Sequence, residues 1–236
     1  MHPMPEDWDT AVAVVAHPDD LEYGVASAVA SWARHGKTVS YLVVTRGEAG
    51  IAGMHPDKAA PLRMDEERRS AAVVGVNLVE FLAHPDGLVE YGVPLRRDLA
   101  AAFRRLQPQV VVTTHFGLTM GDEGPVNHAD HRAVGLAVLD ACRDAANGWV
   151  FPETGPPCTS VRYAYVASMA SPTHFLDVTD TIDVGIASLR EHRAYLDGLV
   201  LQQRAVMVSG VAACSEAGGG PGLVHAVCRG SRAGAG

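Results

Sequence analysis

The chain has 236 residues, of which 47% are hydrophobic and 19% charged, and its formal net charge is −8. This length is enough for a domain with a sizeable buried core. No Lys/Arg stripe is present, so nucleic acid and anionic membranes are poor partner candidates. The apolar stretches are too short to span a bilayer, and residues 1–9 lack the basic start and apolar run of a signal peptide.

The four cysteines form no CxxC pair or tight framework, which is typical of reduced thiols in a cytoplasmic protein. We therefore expect a cytoplasmic location. The sequence argues for a small-molecule partner and leaves a homo-oligomeric state open.

Strand and helix patterns alternate through the first two thirds of the chain. The predicted elements are a strand at 10–16, a helix at 21–35, a strand at 38–45, a long loop at 46–61, a helix at 62–74, a strand at 78–82, a helix at 94–106, a strand at 109–114 and a helix at 128–146. This order predicts an α/β fold with a Rossmann-like, doubly wound, mostly parallel sheet.

The C-terminal third carries weaker patterns. Residues 161–168 are predicted to form a strand, and residues 181–207 one or two helices. We predict one domain over residues 1–236 with three parts: a Rossmann-like core at 10–146, a C-terminal α/β part at 147–209 and a Gly/Ala-rich tail at 210–236.

A cluster of metal-binding residue types follows the first predicted strand, in the sequence His17-Pro18-Asp19-Asp20. In open parallel sheets, ligands bind beyond the carboxyl ends of the strands. Zinc is bound by imidazole nitrogen and carboxylate oxygen, and catalytic zinc sites keep one position for water. His17 and one of the two aspartates would supply two ligands, and the other aspartate would act as a base. These residues alone do not decide between the two aspartates.

A second cluster, His128-Ala129-Asp130-His131, lies at the start of a predicted helix beyond the fourth strand of the core. Two histidines three residues apart on a helix can face the same crevice. One would complete the metal site, and the other would stand near the substrate oxygen with Asp130 to orient it. Each motif alone is weak, but both lie at the same edge of the predicted sheet, and together they predict a metal site.

These motifs resemble the PIG-L/LmbE family of zinc-dependent de-N-acetylases. The matching segments are VAVVAHPDDLEYGVASAVA (12–30), VVTRGEAG (43–50), ERRSAAVVGV (67–76), HPDG (84–87), VVVTTH (110–115) and HADHRAVG (128–135). The resemblance covers roughly residues 10–140, with a weaker echo at 175–193. It implies a hydrolase that removes an N-acetyl group from an amino-sugar conjugate of the N-acetylglucosamine type, giving acetate and a free amine. A thiol-cofactor precursor or an antibiotic intermediate fits as substrate.

The resemblance also implies individual roles. The implied metal ligands are His17, Asp20 and His131. Asp19 is implied as the general base, His128 as the group that stabilises the oxyanion or protonates the leaving amine, and Asp130 as the residue that orients His128. The expected ion is Zn²⁺, and Fe²⁺ suits the same ligand set.

Five further residues are candidates for substrate contact, because they lie in loops at the predicted crevice or in the C-terminal echo. They are Glu48, Arg63, Asp86, His115 and His192. The chain also departs from the family pattern. Met64, with Arg63 beside it, stands where an arginine is usual.

The C-terminal echo departs further. Gly185 stands where the family often has a lysine, and Ala194-Tyr195 stands where it often has Ser-Gln.

Two alternatives to an N-deacetylase stay open. One is a metal amidase that cleaves a larger acyl group from similar conjugates. The other is a non-catalytic sugar-binding relative, which would be expected to have lost Asp19 or a metal ligand, whereas this sequence retains them all.

Overall fold

The computed structural model describes residues 1–120, 125–169 and 171–199. The strands are β1 His2–Pro3, β2 Thr10–Val15, β3 Thr38–Val43, β4 Leu78–Phe81, β5 Val110–Thr114, β6 Tyr163–Ala167 and β7 His174–Phe175. The helices are α1 Asp20–Gly24, α2 Ala26–Arg34, α3 Pro56–Val73, α4 Val93–Leu106, α5 Ala129–Ala146 and α6 Ile182–Leu189, with a 3₁₀ turn at Pro152–Thr154. Residues 193–199 are also helical.

A parallel sheet with strand order β4-β3-β2-β5-β6 forms the centre of the molecule. Strand β2 is buried on both faces, as expected for a central strand covered by helices. Val12 and Val14 pack into a cluster with residues of α4 and α5, whereas Ala13 and Val15 pack into a cluster with residues of α2. The predicted doubly wound α/β fold is confirmed.

Two predicted helices differ from the observed ones. The predicted helix at 21–35 is divided at Val25 into α1 and α2. The predicted helix at 62–74 begins earlier, at Pro56, because His55 accepts a hydrogen bond from the Asp57 amide at 3.3 Å and caps the helix. Proline at the first helical position needs no hydrogen-bond donor, so the Pro-rich segment that predicted a loop instead starts a helix.

The C-terminal part contains the predicted strand, now β6, and helical residues within the predicted 181–207 segment. Helix α6 packs against α2 and α3. Residues 200–236, which include the predicted Gly/Ala-rich tail, lie outside the described residues, and the division into three parts stays a prediction.

A two-stranded sheet, β1 with β7, was not predicted. It pairs His2 with His174 and Pro3 with Phe175, and its strands are too short to produce a periodic pattern in the sequence. None of the helices in the described part of the chain has the length and apolar character needed to cross a membrane.

Candidate metal centre

The two predicted histidine clusters meet at the carboxyl edge of the sheet. Strand β2 ends at Val15, two residues before His17. Strand β5 runs parallel beside it and leads to α5, whose first turn contains His131. Parallel neighbours end on the same edge of a sheet, which places the two segments face to face. The His17 Nδ1 and His131 Nε2 atoms lie 3.2 Å apart.

The three predicted ligands have the spacing of a metal site. Ligand atoms of His17, Asp20 and His131 all lie within 4.8 Å of one another. His131 Nε2 is 3.1 Å from Asp20 Oδ1, and His17 Nδ1 is 3.7 Å from Asp20 Oδ2. Zinc bonds of about 2.0–2.1 Å in a tetrahedron place ligand atoms roughly 3.4 Å apart. The observed separations fit this geometry.

The remaining ring nitrogens of both histidines face acceptors. His17 Nε2 lies 3.0 Å from Asp130 Oδ2 and 3.1 Å from Asp86 Oδ1. His131 Nδ1 lies 3.0 Å from the Asn127 side-chain oxygen. In the neutral rings, these outer hydrogen bonds favour a proton on the remote nitrogen. His17 Nδ1 and His131 Nε2 would then be available to bind a metal ion, so the donor set fits one.

The charges around the site also favour a cation. Burial lowers the pKa of His17, but hydrogen bonds to Asp130, Asp20 and Asp86 outweigh it and raise the pKa well above its usual range. Burial raises the pKa of Asp20, but His131 and His17 outweigh it and hold the pKa well below its usual range. Asp20 is thus held ionised, as a metal-binding carboxylate must be.

Asp19 adopts a left-handed backbone conformation with φ 97°. Such a conformation costs a non-glycine residue about 1–3 kcal/mol and persists only where its surroundings enforce it. The Asp19 amide donates to Glu67 Oε2 at 3.2 Å, and its carboxylate accepts from Arg63. Burial raises the pKa of Asp19 to about 6, although the charge of Arg63 opposes this shift.

Arg63 lies inside the wall of the site and not on its surface. Its side chain is 2% exposed, and its guanidinium donates to the Asp19 carboxylate and to the carbonyls of Pro18 and Gly47. The same group stacks over the Tyr195 ring, 4.2 Å from the centroid. Arg63 was predicted as a substrate contact. The structure instead places it where it holds Asp19.

His128 caps helix α5. Its Nδ1 accepts from the Asp130 amide at 3.2 Å, which leaves the proton on Nε2. Burial lowers the pKa of His128, so the neutral ring is favoured. Its ring lies beside that of His17, with 4.8 Å between centroids.

Asp130 was predicted to orient His128, and its backbone amide donates to the His128 ring. Its buried carboxylate has other partners: it accepts from the Gly87 and Val89 amides at 2.7 and 3.1 Å and contacts His17 Nε2.

Asp86 and Glu48, which were predicted as substrate contacts, support the candidate metal centre. Asp86 contacts His17 and accepts from the Ala49 amide at 2.7 Å. Glu48 accepts from the Asp86 amide at 3.2 Å and so joins the loop after β3 to the HPDG turn. The structure brings both into the shell around the triad.

The other two predicted contacts lie apart from the triad. His115 Nε2 faces the Thr119 carbonyl at 2.7 Å. His192 is fully buried beside Glu22 and Glu67.

Sequence reasoning missed Asn127 and Glu67, which hold His131 and Asp19. The only available signal was their position, next to HADH for Asn127 and in the family-like helix for Glu67.

Comparisons with known proteins identify the family to which the chain belongs. The family described as "PIG-L: GlcNAc-PI de-N-acetylase" matches residues 12–142, more than half of the chain. The chain belongs to this family of deacetylases.

Two curated relatives and one solved structure are similar to this chain. Diacetylchitobiose deacetylase of Thermococcus kodakarensis is 25% identical over 197 residues, covering 80% of this chain and 70% of that protein. The 1D-myo-inositol 2-acetamido-2-deoxy-alpha-D-glucopyranoside deacetylase of Kineococcus radiotolerans is 34% identical over 56% of this chain, which spans less than half, 46%, of that relative. The solved structure of N,N'-diacetylchitobiose deacetylase from Pyrococcus horikoshii has the same fold, with a TM-score of 0.77, 21% identity and coverage of 89% of this chain and 79% of that one.

Proposed function

We propose that this protein is a metal-dependent hydrolase that removes the N-acetyl group from an N-acetylglucosamine-type conjugate. The observation that carries the proposal is the convergence of His17, Asp20 and His131 with the buried carboxylate of Asp19 next to them in the chain. Zn²⁺ is the proposed ion, held by those three ligands, and Fe²⁺ is the alternative.

A divalent ion held there would lower the pKa of a water molecule and polarise the amide carbonyl. Asp19 would accept the proton of the attacking water, because its carboxylate is the one ionisable acid of the HPDD segment that is not a proposed ligand. Arg63 and the Glu67–amide hydrogen bond would hold Asp19 in its left-handed conformation for this task.

His128 would stabilise the oxyanion of the tetrahedral intermediate. Its Nδ1 is occupied by the Asp130 amide, so Nε2–H is the free donor. The leaving amine needs a proton, because it is a poor leaving group as an anion. Asp19, having taken a proton from water, would deliver it to the nitrogen.

The substrate class is inferred from relatives. The names of two relatives identify them as deacetylases of diacetylchitobiose and of an inositol-linked 2-acetamido-2-deoxy-glucopyranoside. A conjugate of N-acetylglucosamine is the chemistry these two substrates share. The metal amidase for larger acyl groups and the non-catalytic relative are outcomes that the assay below distinguishes.

The test is release of acetate and free amine from a panel of N-acetylglucosamine conjugates, run with Zn²⁺, with Fe²⁺ under anaerobic conditions and with a chelator. The panel includes diacetylchitobiose, an inositol-linked sugar and matched N-butyryl analogues. We expect acetate release that the chelator abolishes. Faster cleavage of the butyryl analogues would favour the amidase, and sugar binding by the metal-loaded protein without any amine release would refute hydrolysis.

A further inference from the structure

A second cluster of ligand-type side chains lies beneath Asp19. It consists of Glu22 from α1, Glu67 from α3 and His192, which connects α6 to the helical residues 193–199. One ligand atom from each lies within 4.8 Å of the others, and all three side chains are buried. This cluster shares no residue with the His17–Asp20–His131 centre.

Each carboxylate of the cluster has one oxygen engaged and one free. Glu22 Oε1 accepts from the Ser70 hydroxyl at 2.6 Å, and Glu67 Oε2 accepts from the Asp19 amide at 3.2 Å. Glu22 Oε2 and Glu67 Oε1 are buried without a hydrogen-bond partner among the described residues. These outer hydrogen bonds orient the carboxylates as second-shell contacts orient metal ligands.

His192 gives a second, independent indication that the cluster binds an ion. It is 0% exposed, and neither of its ring nitrogens has a hydrogen-bond partner within the described part of the chain. Its Nε2 lies 3.5 Å from Glu22 Oε2 and 3.5 Å from Glu67 Oε2. This spacing is within ion-pair range and long for a hydrogen bond, and it is close to the roughly 3.4 Å between ligand atoms that share a zinc ion.

The charges of the cluster also call for a cation. Among the residues that the structure describes, His192 is the basic side chain within ion-pair distance of Glu22 and Glu67, because the nearby guanidinium of Arg63 is paired with Asp19. Buried carboxylates of this kind are normally paired or bound to a metal.

We propose that Glu22, Glu67 and His192 bind a second divalent transition-metal ion, with a structural and not a hydrolytic role. Two carboxylates and one imidazole suit Zn²⁺, Mn²⁺ or Fe²⁺. The three side chains are buried, so substrate would have no access to an ion held there. Such an ion joins α1, α3 and the C-terminal chain, and through Glu67 it supports the Asp19 backbone.

The test counts Zn²⁺ ions in the full chain after saturation and removal of free metal, by mass spectrometry. We expect two ions in the wild-type protein, one in His131→Ala, one in His192→Gln and none in the double variant. His35→Gln, at an exposed histidine, is the matched control and should retain two.

A zinc anomalous-difference map of wild-type crystals tests the same claim without any variant, so a misfolded His192→Gln does not weaken the test. A peak among Glu22, Glu67 and His192 supports the proposal. One ion per chain together with density for a water molecule at that position overturns it. Neither count depends on whether acetate is released, so this test and the test of deacetylation fail independently.

Discussion

Asp19 combines a strained backbone with a buried charge. Its left-handed conformation is enforced from two sides, by the Glu67 carboxylate on its amide and by Arg63 on its carboxylate. A residue held in this way is positioned before substrate arrives, and preorganised groups of this kind are what a catalytic base requires. Asp19 as the proposed base and Arg63 as the residue that holds it have separate roles, and a substitution of each tests them separately.

Asp19→Asn is expected to retain Zn²⁺ at the His17–Asp20–His131 centre but to lose turnover by about a hundredfold or more, because the positioned base is gone. The measurements are zinc content and acetate release for protein shown to be folded by circular dichroism. Asp183→Asn, in the first turn of α6, is the control and should keep full activity. Near-normal turnover of the metal-loaded Asp19→Asn protein would remove Asp19 from its proposed role.

Arg63→Met is expected to lower the free energy of unfolding by about 3–5 kcal/mol, because it leaves the buried Asp19 carboxylate without its partner. Urea denaturation measures the change. Arg68→Met breaks an exposed pair with Asp65 and should cost less than about 1 kcal/mol.

The loss of unfolding free energy caused by Arg63→Met should be smaller in an Asp19→Asn background, since that variant has no carboxylate that could be left unpaired. Equal losses in both backgrounds would show that Arg63 acts through its packing on Tyr195 or its hydrogen bonds to the Pro18 and Gly47 carbonyls, and not through Asp19.

At this scale, the sequence predicted the identity of the clustered residues better than their contacts. HPDD and HADH are local motifs, so their approach follows from the parallel sheet. That the Asp130 carboxylate would bind His17 and its amide His128 was not predictable, because this depends on the cap geometry of α5. The burial of Arg63 depends on how α3 packs against Pro18 and Asp19, which the local sequence does not encode.

At the scale of elements, Arg104 of α4 forms hydrogen bonds with the C-terminal end of α5. Its buried guanidinium donates to the carbonyls of Ala145, Asn147 and Val150 at 3.1, 2.8 and 2.7 Å. The last carbonyls of a helix have no partner within the helix, so this side chain satisfies groups that would otherwise be buried unpaired. The start of the same helix carries His128 and His131.

Arg104→Met is therefore expected to reduce the free energy of unfolding by about 3 kcal/mol, as for several lost hydrogen bonds to a charged group. Thermal and urea unfolding measure this loss. Arg105→Met, which breaks the exposed pair with Glu80, is the matched neighbour and should cost less than about 1 kcal/mol. Equal losses for the two variants would contradict the assigned role of Arg104.

The elements that the sequence predicted well are those with dense apolar patterns. Strands β2, β3 and β5 are rich in valine and other residues that favour strands, and most of their residues are buried in the sheet. Their predicted bounds differ from the observed ones by at most two residues. The early start of α3 was missed because Pro56 and Pro61 are also typical of loops. The prolines alone do not distinguish a loop from the start of a helix. Only the packing of α3 decides between the two.

At the scale of the whole molecule, bound metal should stabilise the fold, because the ligands come from distant segments that meet only in the native state. An ion present at a hundred times its dissociation constant adds about 2.7 kcal/mol. We expect a chelator to lower the melting temperature of the wild-type protein and Zn²⁺ to restore it. The shift should be smaller in His131→Ala, which lacks one ligand. An equal shift in both proteins would place the stabilising ion elsewhere.

The positions of the ligands along the chain have a consequence for biosynthesis. His17 and Asp20 emerge together, but His131 follows 114 residues after His17. A nascent chain would therefore offer the proposed ion only two ligands, which bind it weakly, until β5 pairs with β2. Tight binding of the proposed ion would then be a late event in the maturation of the protein.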